Sequence, residues 1–279
     1  MNFFSLFKSV VLLVFWFTFI SLSSKAQSSR ECDPGEFGHN SLTGKFYLIR
    51  GISLYVEEYG KGEPLLLLHG NGGSISNFAC QIPYFEKKYH VIAVDSRAQG
   101  RSADSGDSLS FGMMADDFSV LLDSLHVDSC YVLGWSDGGI NGLMLAMRHP
   151  EKVKKLAITG ANLWPDTTAI NPVDYKWMAS AYEELGRQQQ TPDIKNTRKL
   201  ILLDLTEPHI TKGQLQKIQC PTLVIGGDRD IILTEHTVCI ARSIPDSYLW
   251  IIPGSGHATL VDFKDQFNKE VGNFFNMQQ

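Results

Sequence analysis

Apolar residues occur in short unbroken runs along the chain, and these runs alternate with segments of helical spacing. Pro64–Leu68, Val91–Val94 and Tyr131–Leu133 are apolar at every position, as in strands that a parallel sheet buries on both faces. Phe111–Leu125 instead places apolar side chains three or four residues apart, which predicts an amphipathic helix. The repetition of strand and helix predicts an α/β fold, with a mostly parallel central sheet flanked by helices.

The other elements follow the same alternation, apart from one interruption. Further strands are predicted at Phe46–Arg50, Ser53–Tyr59, Leu156–Thr159, Thr222–Ile225 and Tyr248–Ile252. Further helices are predicted at Ser76–Phe85, Ile140–His149, Glu235–Ile244 and Phe263–Phe275. Residues 161–213 contain little strand-like sequence and predict a helical cap insertion. We therefore predict one domain over residues 44–279 with a cap at about 161–213, preceded by an irregular lead-in at 27–43.

The first 26 residues predict a secretory signal peptide. Val10–Ile20 is an apolar run, and Ser24-Lys25-Ala26 places small residues where a signal peptidase cleaves. We expect cleavage after Ala26 and a secreted or periplasmic protein without stable membrane association. An uncleaved membrane anchor is the alternative, but the run is shorter than the roughly 20 residues that a spanning helix needs.

Composition argues against several classes of function. The net charge is −5 and no long Lys/Arg cluster occurs, so nucleic-acid binding is not expected. The odd number of cysteines and the lack of a CxxC motif favour buried free thiols over metal ligation, although an exported protein could oxidise them. The five are Cys32, Cys80, Cys130, Cys220 and Cys239.

Ser136 is a candidate nucleophile. It lies in Gly134-Trp135-Ser136-Asp137-Gly138, a G-x-S-x-G pattern between a predicted buried strand and a predicted helix. That setting is typical of a nucleophile elbow, in which the serine backbone is strained and side chains in place of the two glycines would clash. An ordinary glycine-rich turn is the alternative interpretation.

A base and an acid follow Ser136 along the chain. His257 lies in a glycine-containing loop after the last predicted strand, and such loops are where parallel sheets bind and react. Asp228 and Asp230 both follow the strand Thr222–Ile225, and either could orient the imidazole.

A glycine-rich loop follows the strand at Leu65–Leu68 and predicts an oxyanion hole. The backbone N–H groups of Asn71 and Asp137 could converge on a developing negative oxygen. We expect His69 to hydrogen-bond this loop rather than react. A phosphate site fits less well, because the loop lacks the lysine of a P-loop.

From Gly44 to Phe275 the chain resembles the α/β-hydrolase superfamily. The resemblance implies a serine hydrolase that needs no cofactor or metal, with the order Ser136, Asp230, His257. It favours Asp230 over Asp228, because the family acid is the last residue of a G-x-x-D segment. The matching landmarks are His69-Gly70, Asp95–Ser102, Gly134–Gly139, Gly227–Asp230 and Gly256-His257.

Within this superfamily, the elbow and Gly160-Ala161-Asn162 are similar to the valacyclovir hydrolase (biphenyl-hydrolase-like) group. That similarity implies that Asp137 holds a substrate amino group. The alternative is that Asp137 pairs with a cap residue or caps its own helix. Trp164 and Trp177 are candidate walls of the substrate pocket, or they simply pack the cap.

The predicted function is hydrolysis of a small ester or amide through an acyl-enzyme on Ser136, with aminoacyl esters as one candidate class. A cofactor-free haloperoxidase, a carbon–carbon hydrolase or a lyase on the same scaffold stays open, as does a non-catalytic binding protein. An epoxide hydrolase is disfavoured, because that class carries an aspartate nucleophile at this position. The natural substrate and the oligomeric state stay open.

Overall fold

The computed structural model describes residues 32–278, so the predicted signal peptide lies outside the described residues. Its strands are β1 (Gly44–Ile49), β2 (Ile52–Tyr59), β3 (Glu63–Leu68), β4 (Tyr89–Val94), β5 (Cys130–Trp135), β6 (Val153–Thr159), β7 (Thr222–Gly227) and β8 (Ser247–Ile252). Its α-helices are α1 (Ile82–Phe85), α2 (Phe111–Ser124), α3 (Asp137–Arg148), α4 (Pro172–Arg187), α5 (Pro192–Thr206), α6 (Lys212–Leu215), α7 (Thr234–Ser243), α8 (Thr259–Asp262) and α9 (Lys264–Asn276). Short 3₁₀ helices occur at Ile75–Phe78 and Pro150–Lys152. Within the described range, no helix has the length and hydropathy needed to cross a membrane.

The strands form one eight-stranded sheet in the order β1-β2-β4-β3-β5-β6-β7-β8. The pairings β1–β2 and β2–β4 are antiparallel, and the other five pairings are parallel. Leu66 and Leu68 of β3 pack in one core with residues of α2 and α3, whereas Leu65 and Leu67 pack in a second core with residues of α1 and α9. The predicted α/β fold is therefore confirmed, because a strand covered on both faces is apolar at successive positions.

The predicted helix at Ser76–Phe85 is wrong. The segment is instead a 3₁₀ turn at Ile75–Phe78 followed by the one-turn helix α1. Pro83 explains the break, because it lacks the N–H that a continuous helix would donate to the carbonyl of Ala79 and its ring would clash there.

The expectation of five free thiols is also wrong. Cys32 and Cys80 form a disulfide with a Cα–Cα distance of 5.3 Å, while the other three cysteines are free.

The buried carboxylate of Glu57 in β2 connects the lead-in to the sheet. It accepts hydrogen bonds from the backbone N–H groups of Gly38 (2.9 Å) and Asn40 (2.8 Å). These long-range contacts hold the part of the lead-in that the structure describes, from residue 32 onward, against the sheet.

Replacing Cys32 and Cys80 together by serine should lower the free energy of unfolding by about 2–4 kcal/mol. The disulfide joins residues 48 apart, and a cross-link of that span removes much of the conformational entropy of the unfolded chain. Urea unfolding measures the change, with Cys239→Ser as the matched control because Cys239 is a free, partly exposed thiol. Equal stability of the double variant and the wild type would contradict a stabilising role for this cross-link.

Helices α4 and α5, here named the α4–α5 pair, lie between β6 and β7 in the sequence. They differ in how far their side chains are buried against the rest of the domain. α4 has no buried residue, whereas α5 buries Leu200, Ile201 and Leu203. The side-chain nitrogen of Asn196 donates to the carbonyl of Ala98 at 2.8 Å, and Lys199 Nζ donates to the carbonyl of Gly106 at 2.7 Å. α5 is therefore fastened to the loop that follows β4.

Candidate active site

Ser136 lies in a sharp turn between β5 and α3. Its backbone has φ 56° and ψ −121°, in the left-handed range that favours glycine, and its N–H donates to the carbonyl of Thr159 at 2.8 Å. The turn leaves no room for side chains at the two glycines that flank Ser136. A Cβ on Gly138 would lie 1.8 Å from the carbonyl oxygen of Leu68, and one on Gly134 would lie 2.2 Å from that of Gly138. The predicted strain and the predicted need for both glycines are confirmed.

Three residues far apart in the sequence meet at this turn. The Oγ of Ser136 is 2.9 Å from Nε2 of His257, and Nδ1 of His257 is 2.6 Å from Oδ1 of Asp230. Oδ1 of Asp230 also accepts a hydrogen bond from the N–H of Ile232. Asp228 makes a different contact, because its carboxylate accepts from the N–H of Gly254. The structure thus brings Asp230, and not Asp228, to the imidazole.

The charges around His257 favour its protonated form. Burial is the largest single influence and lowers the pKa of the imidazole, but the carboxylates of Asp230, Asp137 and Asp174 together outweigh it, with Asp230 contributing most. The net result is a pKa above the usual value of a histidine. An imidazolium formed next to Ser136 is therefore stabilised where it stands.

Two contacts position the His257 loop, and neither residue was among those predicted to form the site. The indole Nε1 of Trp135 donates to the carbonyl of His257 at 2.9 Å. Gly160, with φ +66°, passes under the ring, and a Cβ there would lie 2.7 Å from Cε1 and 2.9 Å from Nδ1 of His257. Only glycine at position 160 leaves the imidazole in its observed place.

The loop after β3 covers the serine. A Cβ on Gly70 would lie 3.0 Å from the Cβ of Ser136. His69 is buried, with Nδ1 bonded to the carbonyl of Gly70 and Nε2 accepting from the N–H of Ser96, so its expected structural role is confirmed. Within residues 32–278, the backbone N–H groups of Asn71 and Asp137 have no acceptor. Both donors are available to a substrate oxygen.

Asp137 is buried, with 4% of its surface exposed, and contacts α5 through Asn71. The side-chain Nδ2 of Asn71 donates to Oδ2 of Asp137 (2.9 Å) and is 3.1 Å from Oδ1 of Asp204. Sequence reasoning considered a partner for Asp137 in the cap but missed Asp204. The signal was one acidic residue inside the apolar run at 200–205.

The two predicted pocket tryptophans lie on different elements. Trp164 donates from Nε1 to Thr168 at 2.7 Å and packs edge-on against His236, with ring centroids 4.6 Å apart. Trp177 lies on α4 and is 53% exposed. Their role as pocket walls stays a prediction.

Comparison with known proteins places this geometry in context. The sequence profile of the alpha/beta hydrolase fold family matches residues 63–206. The serine hydrolase BPHL of Mus musculus is 29% identical over 270 residues, covering 88% of this chain and 92% of that protein. RutD of Serratia proteamaculans, named for carbamate hydrolysis, is 30% identical over 256 residues, covering 77% of this chain and 93% of RutD.

Solved structures show the same fold. The meta-cleavage product hydrolase from Pseudomonas fluorescens IP01 superimposes with a TM-score of 0.70. The match covers 85% of this chain and 99% of that one, at 21% sequence identity. At that identity the likeness concerns the fold alone.

Proposed function

The chain belongs to the α/β hydrolase fold family, and we propose that this hydrolase cleaves small carboxylic esters or amides through an acyl-enzyme on Ser136. One observation carries the proposal. Ser136, His257 and Asp230 form a continuous hydrogen-bonded chain, at 2.9 Å and 2.6 Å, on a strained strand-to-helix turn. This is the arrangement in which a base removes the serine proton and an acid orients the base.

The first half of the reaction forms the acyl-enzyme. Ser136 Oγ attacks the substrate carbonyl carbon while its proton passes to Nε2 of His257. Asp230 holds the imidazole tautomer and stabilises the cation that results. The backbone N–H groups of Asn71 and Asp137 donate to the tetrahedral oxyanion. When the intermediate collapses, His257 gives its proton to the leaving alcohol or amine.

The second half releases the acid. A water molecule gives a proton to His257 and attacks the acyl carbon, and the same two N–H groups hold the second oxyanion. Collapse returns the proton to Ser136 and frees the carboxylic acid. None of these steps draws on a group outside the chain other than substrate and water.

We further propose that the acyl part of the substrate carries an amino group that the carboxylate of Asp137 binds. A negative charge beside the nucleophile opposes the oxyanion that forms there, and a substrate ammonium group would offset it. Within the described residues, the side chains bonded to Asp137 are those of Asn71 and Asp204, and neither is a cation. The valacyclovir hydrolase resemblance at the elbow supports the same assignment.

Export is a further part of the proposal. The signal-peptide pattern over residues 1–26 is supported by the disulfide between Cys32 and Cys80, because such bonds persist in oxidising compartments and are rare in the cytosol. We therefore assign the enzyme to the periplasm or the extracellular space.

Covalent labelling tests the acyl-enzyme proposal. A fluorophosphonate reacts with activated serines, so we expect one adduct, found by peptide mass spectrometry on Ser136. Heat-unfolded protein is the control and should not react, because labelling needs the assembled site. An adduct on a different serine, or no adduct on folded protein, would refute the assignment.

A further inference from the structure

A pair of threonine hydroxyl groups connects the sheet to the loop that carries the base. Oγ1 of Thr159, the last residue of β6, is 2.7 Å from Oγ1 of Thr259, the first residue of α8. Both threonines are fully buried. His257 lies two positions before Thr259, and residues 257–259 are here named the base segment. The hydroxyl bond therefore attaches the far end of the base segment to β6.

Thr159 also holds the nucleophile. Its carbonyl accepts a hydrogen bond from the N–H of Ser136 at 2.8 Å, at the point where the backbone of the elbow is strained. One residue thus contacts the nucleophile turn through its main chain and the base segment through its side chain. The distance between Ser136 and His257 depends on Thr159 from both sides.

A second hydrogen bond holds the other end of the base segment. Trp135 of β5 is paired in register with Thr159, and its indole Nε1 donates to the carbonyl of His257 at 2.9 Å. A segment held at one end only could pivot about that point. Because two neighbouring residues of the sheet hold the two ends, both the position and the orientation of the imidazole are restricted.

The hydroxyl bond is shorter than any contact that could replace it. Hydroxyl oxygens that share a hydrogen bond lie about 2.7–2.8 Å apart, whereas carbon atoms pack at about 3.5–4.0 Å. A methyl group in place of either hydroxyl would therefore push Thr259 away from β6 by roughly 0.5–1 Å. Nε2 of His257 is only 2.9 Å from Oγ of Ser136, so a shift on this scale would disturb the contact through which the proton passes.

We propose that Thr159 and Thr259 are positioning residues, whose hydroxyl bond sets the distance between the nucleophile and the base. The proposal rests on the proposed function, because it concerns the same serine and histidine. Both threonine side chains are closed off from the surface, so they act through His257 and not on the substrate. Loss of the bond should therefore lower kcat and spare KM.

The test measures kcat and KM for p-nitrophenyl butyrate in Thr159→Val, on the full chain. Valine keeps the branched shape of threonine and removes the hydroxyl. We expect kcat to fall roughly tenfold to a hundredfold, the scale of a misplaced catalytic group, with KM changed less than about twofold. The rate of fluorophosphonate labelling should fall in parallel, because it depends on the same two residues. Thr259→Val removes the other half of the bond and should show the same loss.

Two further variants separate positioning from general damage. Thr159→Ser keeps the hydroxyl and should keep kcat within about threefold of wild type. Thr222→Val is the matched control, because Thr222 is a buried threonine at the opposite end of the neighbouring strand β7. Its hydroxyl donates to the carbonyl of Cys220, far along the sheet from the elbow. This control should lower the midpoint of urea unfolding and leave kcat unchanged.

Equal kcat values in Thr159→Val and Thr222→Val would overturn the positioning role, as would an equal loss in Thr159→Ser and Thr159→Val. A raised KM at unchanged kcat would also overturn it, because it would indicate contact with substrate. If Thr159→Val does not fold, Thr259→Val allows the same comparison, since its change lies in a one-turn helix and not within the sheet. A wild-type protein that neither hydrolyses the ester nor reacts with the fluorophosphonate would overturn the proposed function, and this inference with it.

Discussion

Replacing Ser136 by alanine should lower kcat for p-nitrophenyl butyrate by about 10⁴-fold or more while the protein stays folded. The side chain that attacks the carbonyl is lost, and removal of a triad nucleophile costs several orders of magnitude in rate. The residual rate would come from the oxyanion donors and from substrate binding, which the substitution leaves in place. Release of p-nitrophenol measures the loss.

Ser180→Ala is the matched control for this prediction. Ser180 is an exposed residue of α4 whose hydroxyl donates to the carbonyl of Lys176. Its replacement by alanine removes the same hydroxyl group as Ser136→Ala does, but away from the elbow. It should keep the wild-type rate. If Ser136→Ala hydrolysed the ester as fast as Ser180→Ala, the serine-nucleophile mechanism would be untenable.

Replacing Asp230 by asparagine should lower kcat by about 10³–10⁴-fold, the scale found when a triad aspartate becomes an amide. The amide nitrogen can donate to Nδ1 of His257, which favours the tautomer that cannot accept the Ser136 proton. Asp228→Asn is the matched control and should cost less than tenfold, because Asp228 bonds to the N–H of Gly254 instead. The reverse ranking of the two folded variants would transfer the orienting role to Asp228.

The same variant should shift the pH dependence of the reaction. The carboxylate of Asp230 is the main reason why the pKa of His257 is raised, since burial alone would lower it. Removing the charge lowers that pKa, and the reaction needs the neutral imidazole. The acid limb of the kcat/KM profile should therefore move to lower pH in Asp230→Asn. An acid limb at the wild-type position would show that another group titrates there.

The sheet and the three central residues could be predicted because their signals are local. A strand such as β3, buried on both faces, shows itself as an apolar run. The elbow needs glycines at fixed positions around Ser136. The loop after β7 carries Asp230, and the loop after β8 carries His257. The choice between Asp228 and Asp230 depended on resemblance alone, and the hydrogen bond to Asp230 distinguishes them by geometry.

The remaining features depend on contacts between distant parts of the chain. Asn71 and Asp204 are separated by 133 positions, and Cys32 and Cys80 by 48, so neither pair leaves a periodic pattern. Gly160 is required by the ring of His257, which reaches it only after the sheet has formed. The helix predicted at 76–85 failed for a local reason, because one proline outweighed the apolar spacing.

The contrast within the α4–α5 pair has an evolutionary consequence. Large losses of stability come mainly from changes at buried side chains, and α4 has none, whereas α5 is packed and hydrogen-bonded. Substitutions on the outer surface of α4 can therefore accumulate with little effect on folding. Substitutions at Leu200 would disturb packing, and substitutions at Asp204 would remove a hydrogen-bond partner of Asn71 and Asp137 beside the elbow. A lineage carrying this architecture can diversify along α4 while its reaction centre stays unchanged.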